Sequence, residues 1–436
     1  MKELFKNKSY FLLFQGSLVS SIGTTVFGFA AGIYVMTLFP SETYGNLGAF
    51  YFALVSATPI ITRLLISPLA GAIVDKMNRI RIIYMSDFIG GALFLLSLYI
   101  LSKYQFSNYE LAYMFAIIGG LAGINSAFFG PAVQSSIPDI VGEKLIQPAM
   151  GAQTIISSIQ GIIGILLGVI LYETLGIQIA ILVNAISFIF SGISEMFIKV
   201  KYKQDTAKKE SKIIDDIKVG FNYIKSKDGL LNMMKYSIVM NFAFMPIFGV
   251  GIPFLFKTEL GKNGYHLAAS SIVFSIAMMI AGIYVGGKHI KSVRNRIVSD
   301  LPKLVISITV LIVAIFLVSN GLIGYWVFFT LYVLIIICMA YFMNSVNIPL
   351  NSALVRGIEP SYRGRVLSVL QSLSGGATPL GMILGGVIIQ FTSVSVLGLM
   401  CILVTLYPAY GFTKNKKVLA FYNSLDIVNE TKLSYE

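Results

Sequence analysis

Long apolar stretches separated by short polar segments run through most of the chain. A helix that crosses a bilayer needs roughly 20 mainly apolar residues, and a window of about 19 residues is the usual length for finding one. Twelve stretches meet this condition, although the ninth is shorter than the others. The pattern therefore predicts transmembrane helices over residues 10–37, 48–71, 82–102, 110–134, 148–171, 177–198, 231–256, 266–287, 303–319, 322–346, 365–391 and 394–412.

One polar segment, at residues 199–230, is much longer than the others. Its second part has apolar residues at helical spacing, including Ile213, Ile217, Phe221 and Ile224, which predicts an amphipathic helix on the membrane surface. The long segment separates two sets of six predicted helices. The expected organisation is an N-terminal six-helix half, a linker, a C-terminal six-helix half and a tail, at residues 1–198, 199–230, 231–412 and 413–436.

Composition agrees with a chain embedded in lipid. Of 436 residues, 56% are hydrophobic and only 12% are charged, whereas a soluble domain has about 25% charged residues. A soluble enzyme is therefore excluded, because so few polar residues cannot cover a surface in water. The 31 Phe and 23 Tyr exclude a disordered or collagen-like chain. The expected fold class is an all-α membrane protein.

The charges that remain are unevenly placed along the chain. The 33 Lys and Arg exceed the 20 Asp and Glu and give a net charge of +13. In a soluble protein this excess would suggest a nucleic-acid partner, but in a membrane protein it reports topology. With twelve spans, 29 cations fall on one side and 3 on the other, and Arg63 lies within a predicted helix. The distribution predicts a cell-membrane protein with both termini and the linker in the cytoplasm.

No set of residues suggests an enzyme, a cofactor or a metal site. Cys338 and Cys401 lie far apart within apolar stretches, so they predict neither a disulfide nor a metal site. His266 and His289 lie near opposite ends of one predicted helix, too far apart to share a metal. A Walker glycine loop is also absent from the sequence, which argues against direct coupling to ATP.

An internal repeat divides the sequence in two. A glycine and three cations in the segment after the second predicted helix recur, at the same spacing, after the eighth. The offset is 215 residues, about half the chain. The matching residues are Gly71, Lys76, Arg79 and Arg81 in the first copy and Gly286, Lys291, Arg294 and Arg296 in the second. Two related sets of six helices are typical of secondary transporters, in which the substrate path lies between the halves.

Glycines in the fifth and eleventh predicted helices repeat in the same way. Gly164 and Gly168 correspond to Gly381 and Gly385 at an offset of 217 residues. Together with Gly161, the first pair has the spacing that allows close contact between transmembrane helices. Pro379 precedes the second pair, so a role in helix bending during conformational switching is the alternative to packing.

Residues 71–81 have the pattern G-x-x-x-D-[RK]-x-x-R-x-[RK], which resembles the signature loop of the major facilitator superfamily. The stretch from Phe129 to Ala149 and the sequence Arg363-Gly-Arg-Val resemble one branch, the drug:proton antiporter-3 group. That group includes macrolide efflux proteins, the enterobactin exporter and lysophospholipid transporters. The resemblance implies a monomeric, alternating-access exporter of amphipathic small molecules, coupled to protons. Alternatives are a siderophore or lysophospholipid transporter, or a sensor or partner protein that does not transport.

The resemblance also implies a gate at the signature loop. In the family, the aspartate of this loop locks the cytoplasmic face against the start of the eleventh helix. The alternative is that the charged loop serves topology alone, and Ile290 replaces the aspartate in the second copy, which argues against a symmetric gate. The residues implied in gating are Gly71, Asp75, Lys76, Arg79, Arg81, Arg363 and Arg365.

Arg63 and Asp87 are candidates for energy coupling. A charge at the centre of a span costs about 2.5–3.5 kcal/mol on insertion scales, so an unpaired charge there calls for an explanation. The two residues lie at similar depth in neighbouring predicted helices, and we expect them to pair. The pair either neutralises itself or carries protons. Glu195 lies close to Lys199, and we expect it to pair or reach the interface there.

In the resembled fold, the first, fourth, seventh and tenth helices line a central cavity. The seventh offers an aromatic and methionine wall that suits bulky apolar ligands. Any single polar residue on these helices can also serve ordinary helix packing. The candidate substrate-binding residues are Gln15, Asn125, Asn241, Phe244 and Asn344.

Overall fold

The computed structural model describes residues 2–142, 145–200, 213–287 and 292–433. All twelve predicted transmembrane helices are present, with lengths and apolar character sufficient to cross a membrane. Helical backbone is expected in every span because an unpaired backbone N–H or C=O in lipid costs several kcal/mol. The helices, labelled α1 to α12 in chain order, are Lys8–Thr37, Leu47–Val74, Arg79–Lys103, Asn108–Val141, Pro148–Leu175, Ile177–Met196, Asp228–Glu259, Gly264–Gly286, Val293–Ser319, Tyr325–Val355, Tyr362–Phe391 and Val394–Lys414.

The largest difference from the predicted boundaries is at α9, which begins at Val293 rather than near Lys303. Its first turns carry charges that neutralise one another. Asp300 Oδ2 lies 3.0 Å from Arg296 Nε, and Asp300 Oδ1 lies 3.1 Å from Lys303 Nζ. Asp300 is buried and also accepts a hydrogen bond from Ser345 of α10, so its charge is compensated by three partners. Hydropathy alone therefore starts this span about ten residues too late, because it does not take the compensation of these charges into account.

The chain forms two compact units. The first comprises Met1–Lys209 with Lys262–Ile272, and the second comprises Glu210–Gly261 with Val273–Glu436. In the first unit, α1 packs on α5 and α6, and α3 packs on α4 and α6. In the second, α7 packs on α11 and α12, and α9 packs on α10 and α12. Each pairing thus recurs six helices later, which agrees with the duplication inferred from the sequence repeat.

The repeated glycines occupy equivalent helix contacts in the two units. A Cβ atom on Gly168 of α5 would lie 3.0 Å from the carbonyl oxygen of Val26 in α1. A Cβ on Gly385 of α11 would lie 2.7 Å from Pro246 Cβ in α7. Both interfaces therefore depend on the missing side chain, as expected for small-residue packing. The glycines in these contacts are Gly164, Gly168, Gly381 and Gly385.

The predicted linker helix is present as Ile213–Ser226. It packs on the start of α11, where a Cβ on Gly220 would lie 2.7 Å from the carbonyl oxygen of Arg365. Ile217 and Phe221 remain 46% and 40% exposed. The apolar face of this helix is thus only partly covered by protein, and its placement on a membrane surface stays a prediction.

The segment predicted as a tail contains a further helix, Lys416–Leu433. It packs on α7, α9, α10 and α12, and it buries the side chains of Val418, Tyr422 and Leu425. Burial raises the pKa of the Tyr422 phenol above its ordinary value. Asp426 accepts 2.7 Å hydrogen bonds from the backbone N–H of Val293 and from Ser292 Oγ. This carboxylate therefore stabilises the start of α9, where backbone N–H groups lack helical partners.

Candidate functional site

The signature loop joins α2 to α3. The helix of α2 continues to Lys76 and so includes the backbone of Asp75, whose side chain lies outside the described part of the structure. Asn78 caps α3, since its Oδ1 accepts a 3.2 Å hydrogen bond from the backbone N–H of Arg81. Gly71 has open space where a Cβ would lie. The contact predicted between Asp75 and α11 stays a prediction.

Arg79 forms the main cross-link of this loop. Its Nη1 lies 2.7 Å from Asp139 Oδ2 and donates a 2.8 Å hydrogen bond to the carbonyl oxygen of Ser135. Both acceptors lie near the end of α4. Sequence reasoning missed Asp139 as a partner, although it lies within the stretch that carries the branch resemblance. An acidic residue next to Pro138 near the end of a predicted helix was the available signal, but the sequence does not show which cation it contacts.

The start of α11 carries the other residues predicted for the gate. Arg363 donates a 3.4 Å hydrogen bond to the carbonyl oxygen of Ile358, and Arg365 is exposed. The Tyr362 ring stacks on Tyr223 of the linker helix, with 5.1 Å between ring centroids. Two elements of the second unit therefore meet at the position where the gate contact is predicted.

Asp87 lies among α1, α3 and α6 and has an acidic neighbour. Its side chain and that of Glu195 are both 0% exposed and lie within hydrogen-bonding reach of each other, with Ser191 beside them. Arg63 is exposed, and within the described residues it does not pair with Asp87, so that expectation is wrong. The expected placement of Glu195 at the interface near Lys199 is also wrong. Depth along a span does not reveal which face of the helix a residue occupies.

Glycine on α1 makes room for these carboxyl groups. A Cβ on Gly16 would lie 2.9 Å from both Glu195 Oε1 and Ser191 Oγ. Beside it, Gln15 Nε2 donates a 2.8 Å hydrogen bond to Ser194 Oγ, which ties α1 to α6. Any larger side chain at position 16 would displace the Glu195 carboxyl group. We call Asp87 and Glu195 the carboxyl pair.

The carboxyl pair lies at one end of a buried polar row on α6. The polar side chains of this row lie three or four positions apart along α6, which places them on one face of the helix. All are less than 9% exposed, and they face α1 across Gly16 and Gly23. Ser17 Oγ, Asn184 Nδ2 and Ser191 Oγ have no hydrogen-bond partner in the described structure. The members of this polar row are Asn184, Ser187, Ser191, Ser194 and Glu195.

Two predicted substrate-binding residues line a cavity inside the second unit. Asn241 and Phe244 of α7 contribute to a space of about 150 Å³, together with residues of α9, α10 and α12. Phe244 stacks on Phe248, with 4.2 Å between ring centroids. Met240, Met343 and Asn347 also line the cavity. The walls are apolar and aromatic, with two amide groups.

The other three substrate-binding candidates contact neighbouring helices. Gln15 bonds to Ser194, as described. Asn344 Nδ2 donates a 2.9 Å hydrogen bond to the carbonyl oxygen of Ala340 and a 3.3 Å one to that of Met278 in α8. Asn125 Nδ2 lies beside Gly90 of α3, 3.1 Å from where a Cβ would be. Each of these contacts fits helix packing, the alternative given by the sequence.

A wider cavity of about 450 Å³ lies in the first unit, lined by Tyr34, Tyr172, Glu173 and Gln178 among others. Glu173 Oε1 accepts a 2.7 Å hydrogen bond from the backbone N–H of Gly264. Across the described residues, no group of three or more His, Cys, Asp or Glu side chains is arranged to hold a metal ion.

Twelve membrane-spanning helices with repeated internal pairings define a polytopic membrane protein built by duplication. The sequence profile of the Major Facilitator Superfamily matches residues 13–343. The chain belongs to this family of membrane transporters. It is therefore a multi-pass transporter that moves a small-molecule substrate through a lipid bilayer, and it is not an enzyme.

Similar proteins and structures agree with this assignment. The uncharacterized MFS-type transporter YkuC of Bacillus subtilis (strain 168) is 25% identical, covering 84% of this chain and 81% of its own. Macrolide efflux protein A of Streptococcus pyogenes is 22% identical, covering 86% of this chain and 88% of its own. A bacterial homologue of the iron transporter ferroportin, in its inward-facing state, has a TM-score of 0.70 at 15% identity, covering 94% and 98% of the two chains. A D-xylose-proton symporter has a TM-score of 0.68 at 13% identity, covering 91% and 97%. These two structures share the fold.

Proposed function

We propose that the chain exports amphipathic small molecules of the macrolide type across the cell membrane, by alternating access and in exchange for protons. Similarity to macrolide efflux protein A over most of both chains supports the substrate class. The 29 cations on one side of the predicted topology support a cytoplasmic location for both termini. The proposed transporter acts as a monomer.

The observation that carries this proposal is the aromatic and methionine-rich cavity at Asn241 and Phe244. Apolar walls with a few polar groups are typical of small-molecule sites. Its volume of about 150 Å³ is below the roughly 300–1,000 Å³ of such sites. A bulky substrate therefore requires the side chains to repack, which flexible methionines such as Met240 and Met343 permit.

The proposal is tested by expressing the chain in a bacterial host that lacks its own efflux pumps. Growth is measured against macrolides, other drugs, siderophores and lysophospholipids. We expect raised resistance to macrolides and lower intracellular accumulation of labelled erythromycin. If only a siderophore or only a lysophospholipid is exported, that compound class and not macrolides is the substrate. If no compound gives a change although the protein is expressed normally, export is contradicted.

Phe244→Ala tests the role of the cavity. Phe244 lines the cavity, so its loss removes an aromatic contact to the proposed substrate worth about 0.5–1.5 kcal/mol beyond buried area. We therefore expect roughly tenfold weaker macrolide binding, since about 1.4 kcal/mol is tenfold. The measurement is erythromycin affinity of the purified protein. Phe316→Ala, at a 46% exposed position on α9, is the matched control. Equal effects of the two substitutions would place the substrate elsewhere.

A further inference from the structure

In the described part of the structure, no positively charged side chain compensates the carboxyl pair. Both side chains are fully buried, and the polar groups next to each carboxyl group are the other carboxyl group and the hydroxyl group of Ser191. Among the described residues, no donor lies in hydrogen-bonding geometry with any of the four carboxyl oxygens. Two ionised carboxylates in contact away from water would be strongly unfavourable, because each loses its solvation and repels the other. A cation must therefore accompany them.

The helices that pack around the pair do not supply this cation. On α3, Arg81 lies six residues before Asp87 and is exposed, and Arg79 is bound to Asp139. On α6, Glu195 is the only titratable residue. The other titratable residues on α1, α3 and α4 are Lys8, Tyr10, Tyr34, Arg79, Arg81, Tyr84, Tyr99, Lys103, Tyr109, Glu110, Tyr113 and Asp139, and none of them interacts with the pair.

We propose that Asp87 and Glu195 share one bound proton and that this proton is the one exchanged for substrate. The proton bridges an oxygen of one carboxyl group and an oxygen of the other, leaving the pair with one negative charge. When the site opens to water, the proton passes to a water molecule and both carboxylates become ionised and hydrated. The inference rests on the proposed proton-coupled export and assigns proton binding in that coupling to Asp87 and Glu195.

A proton fits this site better than a metal ion. A metal ion in proteins takes four or more ligands, whereas the pair offers two carboxyl groups and the hydroxyl group of Ser191 beside them. The described residues show no third acidic, histidine or cysteine ligand. A shared proton needs only two acceptor oxygens in contact, which the pair provides.

The polar row on α6 gives the proton a route. From Glu195 to Asn184 it spans eleven residues, or roughly 16 Å at about 1.5 Å per residue. Ser17 Oγ, Asn184 Nδ2 and Ser191 Oγ lie along it, and among the described residues none of them has a hydrogen-bond partner. Buried polar groups of this kind are commonly satisfied by internal water. A chain of water molecules and hydroxyl groups between α1 and α6 can therefore carry the proton from the carboxyl pair.

Infrared spectroscopy tests the bound proton without any substrate. We expect the purified wild-type protein at pH 7 to show the carbonyl stretch of a protonated carboxylic acid, shifted in D₂O. The double variant Asp87→Asn/Glu195→Gln should lose this band. Glu110→Gln is the matched control, because a Gln can replace Glu in the capping box at Ser107. A wild-type spectrum without the band, or a double variant that keeps it, would overturn the proposal.

Transport in proteoliposomes tests whether this proton is the coupled one. Counterflow of labelled erythromycin without a pH gradient measures alternating access, and accumulation driven by a pH gradient measures coupling. In Glu195→Gln we expect counterflow within about twofold of wild type and gradient-driven accumulation reduced about tenfold or more. A merely structural role would lower both activities together. Asp87→Asn, which alters the other carboxyl group, should give the same result. This variant replaces Glu195→Gln in the test if Glu195→Gln does not fold.

The outcomes separate this inference from the proposed function. Absence of erythromycin counterflow in the wild type would refute the substrate proposal, and the infrared experiment would still decide whether the pair binds a proton. Normal counterflow with unchanged gradient-driven accumulation in both variants would show that another group carries the proton. Accumulation that follows a sodium gradient rather than a pH gradient would also overturn the inference.

Discussion

Substitution of Gly123 by Ala is expected to prevent stable folding of the first unit. Gly123 of α4 crosses α2, and a Cβ there would overlap the carbonyl oxygen of Pro59 and the hydroxyl group of Thr62, and would lie 2.8 Å from Pro59 Cα. Because the obstruction is mostly backbone, a rotamer change cannot relieve it. The helices must separate, which also breaks the 2.8 Å hydrogen bond from Thr62 Oγ1 to the carbonyl oxygen of Gly120. Overpacking of a core costs about 1–3 kcal/mol or more.

Gly130→Ala on the same helix is the matched control. Open space surrounds the position of its Cβ, and Ala is about 1 kcal/mol more favourable than Gly inside a helix. We expect Gly130→Ala to fold at least as well as wild type. The measurements are the monodisperse fraction on size-exclusion chromatography and the thermal unfolding midpoint in detergent. Similar behaviour of the two variants would contradict close packing of α2 and α4 at Gly123.

Transmembrane helices were predictable because lipid leaves few alternatives. A long apolar stretch must form hydrogen bonds within itself, so its length and composition are sufficient to identify a helix. The prediction was least accurate at α9, where Arg296 and Asp300 lie within the helical span. Their charges are tolerable only because of contacts with each other and with α10. Such contacts join residues that are distant in sequence or that share one helix face. A hydropathy average over a sequence window does not include them.

The candidate site was only partly predictable for a related reason. Asp87 was identified because a charge in an apolar stretch is rare. The partner predicted for it was wrong, because Arg63 on α2 is exposed whereas Asp87 on α3 is buried. Glu195 meets Asp87 through the packing of α3 on α6, and the sequence does not specify that packing. The Gly16 contact that makes room for Glu195 is likewise visible only in three dimensions.

The repeat illustrates what a sequence does predict about packing. Gly168 and Gly385 match across half the chain, and both lie at a close helix contact in their own unit. Duplication preserves such positions, because a side chain at either one would separate two helices. The partners Val26 and Pro246 differ in type, so the repeat identifies the glycines and not what they touch.

Asp75→Asn is expected to lower transport strongly while leaving folding intact. Asn keeps the size of the side chain and removes its charge, so the helix of α2, which continues past this position, is preserved. A hydrogen bond to a charged group is worth about 1.5–3 kcal/mol. If Asp75 locks the transporter closed on its cytoplasmic side, losing that energy shifts the conformational equilibrium by about 10-fold to 150-fold. We expect erythromycin counterflow to fall by about tenfold or more.

The measurement compares Asp75→Asn with Asp215→Asn, which removes an exposed carboxylate of the linker helix and should transport like wild type. Equal surface expression of both variants separates a gating defect from a folding defect. If the signature loop serves topology alone, Asp75→Asn should transport normally, because Lys76, Arg79 and Arg81 remain and anionic residues contribute little to topology. If the loop acts as a gate, Asp75→Asn should instead transport poorly, because the closed state then depends on the Asp75 carboxylate. The second copy of the loop has Ile290 at the corresponding position.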